Sequence, residues 1–202
     1  MILITGGSGY LGQHIINSFP EETFIIFEER LNISLFEMVE LYGRFDITHV
    51  YHLASPTTEE DFKKLDKHEM YSNIVKGTTL MIEFCNLMGA ELIYFSSEGI
   101  IQPKNLYGKF KKVVTELIPL ISNHYKILII PRVYSIDRKR GLINKFKSDY
   151  KFSEKELNTK LEYISLESFL YQFDSFIRRG NDIFYFQNKQ TNTLKELKEK
   201  YA

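Results

Sequence analysis

Only one cysteine, Cys85, occurs in 202 residues, so no disulfide can close within the chain. It lies in an apolar stretch of helical pattern and reads as an inert core residue. No apolar run approaches the ~20 residues that span a bilayer. No signal peptide precedes the first expected strand, which begins at Ile2. These absences lead us to expect a cytoplasmic protein without membrane contact. Neither sign of charge is in excess, since Lys+Arg and Asp+Glu both number 26. A chain without net charge has no global electrostatic grip on nucleic acid or anionic lipid, and Arg138-Lys139-Arg140 reads as a solvated loop. Internal repeats and long linkers are also missing. Apolar residues are not scarce: a hydrophobic fraction of 44% allows a sizeable core and argues against disorder.

Strand and helix patterns alternate along the first two thirds of the chain. Strands are expected at Met1–Thr5, Thr23–Phe27, His49–Ala54, Glu91–Ser96 and Tyr125–Ile130, the last closed by Pro131. Helices are expected at Tyr10–Phe19, Ser34–Tyr42, Asp61–Lys67, Tyr71–Met88 and Leu106–Leu120. Ser34 is placed to cap the second of these and Gly43 to end it. Such alternation implies an α/β fold, a doubly wound parallel sheet covered on both faces. After Pro131 the pattern weakens. Lys145–Asn158 is polar without strong periodicity, Leu166–Arg179 reads as an amphipathic helix, Asn181–Phe186 as a strand and Thr193–Tyr201 as a short charged helix. We therefore expect residues 1–135 to form one α/β domain and residues 136–202 a small, reduced C-terminal lobe that does not fold independently.

The turn Thr5-Gly6-Gly7-Ser8-Gly9-Tyr10-Leu11-Gly12 follows a strand and opens a helix, the context that gives such a glycine pattern its meaning. Gly6 suits a tight turn, Gly9 lets the backbone approach a pyrophosphate, and Gly12 lets helix and strand lie close. The helix start then offers N–H groups and a partial positive charge to the phosphates. Glu28, about 20 residues farther on, stands where an acidic residue accepts bonds from the adenosine ribose. It would repel a 2′-phosphate and so favours NAD(H), while Arg30 keeps NADP(H) open.

Three further features fall in order. Ser97 closes the fourth strand, and Tyr107 and Lys111 lie four apart, on one face of the next helix. A tyrosine hydroxyl titrates near ~10 and needs help to exchange a proton at neutral pH. A lysine one turn away favours the phenolate, and a serine at a strand end can hold the same substrate oxygen. His49 and His52 flank the third strand without a third ligand at suitable spacing, so no metal site is expected. Asn73 reads as a buried polar residue that ties backbone together.

With these motifs the sequence resembles the extended short-chain dehydrogenase/reductase family, the NAD-dependent epimerase/dehydratase group, over nearly its whole length. The glycine turn looks like the family's cofactor fingerprint. His52-Leu53-Ala54-Ser55 looks like the strand end that passes the cofactor, and Asn73 to Thr78 looks like its Asn-x-x-Gly-Thr helix. Ser97, Tyr107 and Lys111 match its triad, and Pro131-Arg132-Val133-Tyr134 looks like the segment near the nicotinamide. Ile183–Leu197 resembles its closing strand and helix. The resemblance implies cofactor contacts from Gly6, Gly9, Tyr10, Leu11, Gly12, Glu28, Leu53, Ala54, Ser55, Tyr107, Lys111 and Pro131. It also implies a Rossmann-like fold with a dinucleotide-binding domain over residues 1–135 and a substrate lobe over 136–202, a nucleotide-sugar substrate, and a homodimer built on a four-helix bundle. The sequence departs from the family in several places. Only nine residues separate Ser97 from Tyr107, and the spacing after Glu28 is compressed, as in the dehydrorhamnose-reductase branch. Ile129 stands where many relatives have an arginine. Gly99 stands where the 4,6-dehydratases carry a glutamate, with Glu98 adjacent, which argues against a dehydratase. Three readings stay open: a nucleotide-sugar epimerase or reductase, a reductase of a smaller keto substrate, and an NAD-binding regulatory or scaffold protein without turnover.

Overall fold

Short apolar runs that are buried on both sides make parallel strands, and this chain supplies them in turn. In the computed structural model, which describes residues 1–28, 31–56, 64–135, 142–148 and 150–201, Ile2–Thr5 (β1) is buried at every position. It leads through the glycine turn into Tyr10–Ser18 (α1) and Phe24–Phe27 (β2). Leu35–Tyr42 (α2) follows, with Ser34 and Glu37 forming a capping box and Gly43 at its end. His49–His52 (β3) leads to Lys67–Tyr71 (α3), which runs through a π-helical turn, Ser72–Lys76, into Gly77–Met88 (α4). Gly89, at φ +67°, closes that helix in the left-handed region. Glu91–Ser97 (β4), Leu106–Ile121 (α5) and Tyr125–Ile130 (β5) complete the regular alternation.

The part after Pro131 holds more order than its sequence pattern suggests. Arg132–Tyr134 (β6), Leu142–Phe146 (α6), Glu154–Leu157 (α7), Lys160–Ser165 (β7), Leu166–Ile177 (α8), Asp182–Tyr185 (β8), Gln190–Thr193 (β9) and Leu194–Tyr201 (α9) follow in order. The polar stretch Lys145–Asn158 thus contains a capped helical turn, held by a Ser153–Glu156 capping box. Strands β6, β7 and β9 were not expected from the sequence. They are short or polar, and exposed residues such as Lys160 and Glu162 hide the alternation that marks a strand. Of the helix expected over Asp61–Lys67, residues 61–63 lie outside the described residues, and the rest is corrected: Leu65 and Asp66 are not helical, and Asp66 caps α3, which starts at Lys67. The run Arg138-Lys139-Arg140 lies outside the described residues.

Six strands form one parallel sheet in the order β2-β1-β3-β4-β5-β8. The chain leaves β1 to one side for β2 and returns to the other side for β3. The crevice beyond the carboxyl ends of β1 and β3 is therefore the topological switch point, where open α/β sheets bind ligands. One face packs a core that includes Met38, Met81, Phe84, Val114 and Ile127. The other face packs Ile15, Phe95, Leu128, Phe169 and Phe173. The smaller sheet, β6-β7-β9, has its own cluster of Tyr134, Ile143, Phe146, Tyr163 and Leu197. Among the described residues no helix is long and apolar enough to cross a membrane.

Candidate active site

The glycine turn is shaped by contacts that exclude side chains. Gly6 sits at φ +71°, and a Cβ there would come within 2.9 Å of the Ala54 amide nitrogen. A Cβ on Gly12 would meet the Gly6 carbonyl oxygen at 2.4 Å, so helix α1 lies hard against the turn. Gly9 is the N-cap of α1 and offers no capping side chain, and the first turn carries no acidic residue. The start of α1, with Tyr10, Leu11 and Gly12, thus keeps the positive character of an uncapped helix end.

A hydrogen-bonded chain fixes what lies opposite. His52 is fully buried between two threonines, its Nδ1 2.7 Å from Thr5 Oγ1 and its Nε2 3.0 Å from Thr78 Oγ1. Thr78 donates to the Ile74 carbonyl at 2.6 Å, so it can only accept from His52, whose proton is then on Nε2. Thr5 donates to Nδ1 and accepts from the Ala54 N–H at 3.1 Å. Every member is satisfied, and burial drives the imidazole pKa down to about 3, so the ring is neutral. The chain ties the glycine turn, the end of β3 and the π turn together. It also occupies both His52 nitrogens, and His49 sits apart beside Glu91 at 3.6 Å.

The π turn brings Asn73 to the wall of a cleft of about 400 Å³, which Leu31, Ala54, Ser55, Pro56 and Lys64 also line. Asn73 is half-buried there rather than buried as expected. Gly77 allows this packing, because a Cβ on it would strike Leu31 Cβ at 2.8 Å. Leu53 and Pro131 follow the carboxyl ends of β3 and β5, and Glu28 is exposed just after β2. Glu29 and Arg30 lie outside the described residues.

Ser97 ends β4, and its Oγ accepts from the Gly99 N–H at 3.2 Å. Tyr107 lies in the first turn of α5, which Asn105 caps by accepting from the Gly108 N–H at 2.9 Å. Burial pushes the Tyr107 phenol up to about 12, and a hydrogen bond with Ser55 pulls the other way. Lys111 is 2% exposed. Its Nζ donates to the Phe95 carbonyl at 2.8 Å and lies 6.0 Å from the centre of the Tyr107 ring. Desolvation brings its pKa down to about 7. Thr115 donates to the Lys111 carbonyl, and Ser96 bonds Thr115 at 2.8 Å, so α5 is pinned to β4. Glu98, the acid beside Gly99, is engaged by Lys189 at 2.9 Å, and Lys189 also bonds Glu162 of β7 at 2.7 Å.

The structure thus gathers the glycine turn, Ala54, Ser55, Ser97, Tyr107 and Lys111 at the carboxyl ends of adjacent strands. Glu28 and Pro131 follow the ends of β2 and β5. Leu31, Tyr94 and Lys189 also belong to this region. Sequence reasoning missed all three, because an apolar residue, a strand aromatic and a loop lysine carry no motif.

The sequence matches the model of the NAD dependent epimerase/dehydratase family over residues 2–128. Among curated proteins none matches it. Among solved structures, the fold is similar to that of the Bordetella bronchiseptica enzyme WbmG in complex with NAD. The identity is 18% and the TM-score 0.80, over 98% of this chain and 76% of that one. It is similar to UDP-glucose 4-epimerase of Thermotoga maritima with UDP-glucose, at 16% identity and a TM-score of 0.82, over 98% and 80%. It is also similar to dTDP-4-dehydrorhamnose reductase of Bacillus anthracis in complex with NADP, at 17% identity and a TM-score of 0.81, over 99% and 79%. At these identities the structural likeness establishes the fold, and the family model covers more than half of the sequence. The chain belongs to the NAD-dependent epimerase/dehydratase family.

Proposed function

We propose that this chain binds NAD(H) across the switch-point crevice and moves a hydride at a carbon of a nucleotide-linked sugar, as an epimerase or reductase. Tyr107 exchanges the hydroxyl proton. One observation carries the reading: a phosphate cradle bare of side chains shares one end of the sheet with a tyrosine and a buried lysine a single turn apart. The residues fit the cofactor. Gly6, Gly9 and Gly12 with the start of α1 would hold the pyrophosphate, and Glu28 the adenosine ribose, which disfavours NADP(H). Leu53, Ala54, Ser55 and Pro131 would line its path toward Tyr107 and Lys111. When bound, the nicotinamide supplies the hydride acceptor or donor.

The chain's own groups do the rest. Tyr107 takes or gives the proton at its hydroxyl oxygen, and a charged Lys111 favours the phenolate form. The Ser97 hydroxyl accepts from Gly99 and so keeps its hydrogen to donate to a substrate oxygen. Glu98, the acid next to Ser97, is held by Lys189, in keeping with an epimerase or reductase. The ligands of the relatives named above, NAD, NADP and UDP-glucose, support this reading. Residues 1–135 would carry the cofactor, and residues 136–202 the substrate side together with the sixth strand. A homodimer is also part of the proposal. Leu106, Val113 and Leu120 recur every seven residues on the exposed face of α5, with Leu87 exposed on α4, the pattern of a helix seam.

NADH titration by fluorescence and hydride exchange against UDP-, GDP- and dTDP-linked sugars test the function. We expect NADH to bind more tightly than NADPH. Tyr107→Phe should keep that binding and lose at least about a hundredfold in turnover. Tight NADH binding without exchange against any sugar nucleotide would leave an NAD-binding module instead. Thermal stability unmoved by UDP, GDP and dTDP would favour a smaller keto substrate.

A further inference from the structure

Lys111 is buried without a carboxylate to answer its charge: among the described residues its Nζ forms no ion pair. An ammonium has three donors, and the Phe95 carbonyl satisfies one. Its other close neighbour is the face of the Tyr94 ring, whose centre lies 4.4 Å from Nζ. Tyr94 comes from β4, is 0% exposed, and stacks beside His52, its register partner on β3, with ring centres 5.9 Å apart.

We propose that Tyr94 is the positioning residue for Lys111: its ring stands in place of a counter-ion and favours the charged form of the amine beside Tyr107. This rests on the reading of Tyr107 and Lys111 as an acid/base pair. A ring face attracts a cation through its quadrupole while carrying no net charge. A carboxylate in the same place would cancel the field of Lys111 at Tyr107 and would itself repel the phenolate. The aromatic partner does neither, so the whole charge of Lys111 acts on the tyrosine. No competing charge enters from β3, since His52 is held neutral by Thr5 and Thr78, and Lys111 pushes its pKa further down. The Tyr94 hydroxyl has no part in this. It is buried beside Thr78, which works against the rise in pKa that burial imposes.

Lys111 can be observed directly in ligand-free protein by ¹³C-lysine NMR against pH, its resonance identified by its loss in Lys111→Met. Position 94 would carry Phe and then phenylalanines of rising fluorine content, which keep nearly the same shape and weaken the ring's attraction stepwise. Thermal melts would confirm that each variant folds. We expect Tyr94→Phe to titrate close to wild type and full fluorination to lower the Lys111 midpoint by about one pH unit. A midpoint unmoved across the series overturns the proposal, as does one at the ordinary lysine value throughout. Because the measurement needs neither cofactor nor substrate, its outcome is separate from the effect of Tyr107→Phe on turnover.

Discussion

His52 and Lys111 are two buried bases that meet desolvation in different ways. His52 is neutral and satisfied on both nitrogens, so it asks nothing of pH near neutrality. Lys111 has its pKa brought down to about 7 by burial, whereas in the unfolded chain it holds its proton to beyond pH 10. Between these values the unfolded state binds more protons, so stability rises with pH. The window is pH 7 to 9. Above it the buried Cys85 thiol, its pKa raised by burial, works in the opposite sense. We expect the urea midpoint of the ligand-free protein to climb from pH 7 to 9 and the slope to flatten in Lys111→Met. A wild-type midpoint flat across that range would contradict the burial of a lysine in the site. The Tyr107 and Lys111 pair was legible in the sequence because one helical turn puts both on one face, behind a serine at a strand end and a glycine turn at the start of the chain. Tyr94 was not, because an aromatic in a strand reads as core, and its use as a cation's partner depends on a helix packed across the sheet.

At the scale of elements, the turn from β1 into α1 is the most tightly specified part of the site. A methyl group on Gly12 has no room, since its nearest neighbours are backbone atoms of Gly6 and Gly7 that cannot swing away. We expect Gly12→Ala to cost about 1–3 kcal/mol in chemical denaturation and to weaken NADH binding, because the shift falls on the phosphate cradle. Unchanged stability with unchanged binding would mean that α1 can slide without consequence. The five strands β1 to β5, with α1, α2 and α5, follow the sequence closely, because each carries an apolar run or an amphipathic face. The second sheet does not. Tyr163 and Ile164 of β7 are buried, but exposed polar residues stand at its start, and its partners lie on either side of a long excursion. The π turn is equally silent, for Ser72 to Lys76 differ in no composition from an ordinary helix, and it is this turn that carries Asn73 to the cleft.

For the whole molecule, the sheet is closed at one edge by β8, so residues far beyond Pro131 complete a fold that its first half begins. The same C-terminal part reaches the candidate site through Lys189, which joins Glu98 to Glu162. The proposed dimer follows from a surface that the monomer leaves uncovered on α4 and α5. We expect sedimentation at tens of micromolar to give a dimer, and Val113→Glu with Leu120→Glu to give a monomer that still binds NADH. A monodisperse wild-type monomer would remove the dimer from the account. The hydrogen-bonded chain from Ala54 through Thr5, His52 and Thr78 to Ile74 has a kinetic meaning as well. It spans separations of 47 residues between Thr5 and His52 and 26 between His52 and Thr78, and it closes only after β1, β3 and the long helix have docked. We expect the loss of one of these bonds to speed unfolding and to leave the refolding rate nearly unchanged, as chevron kinetics would show.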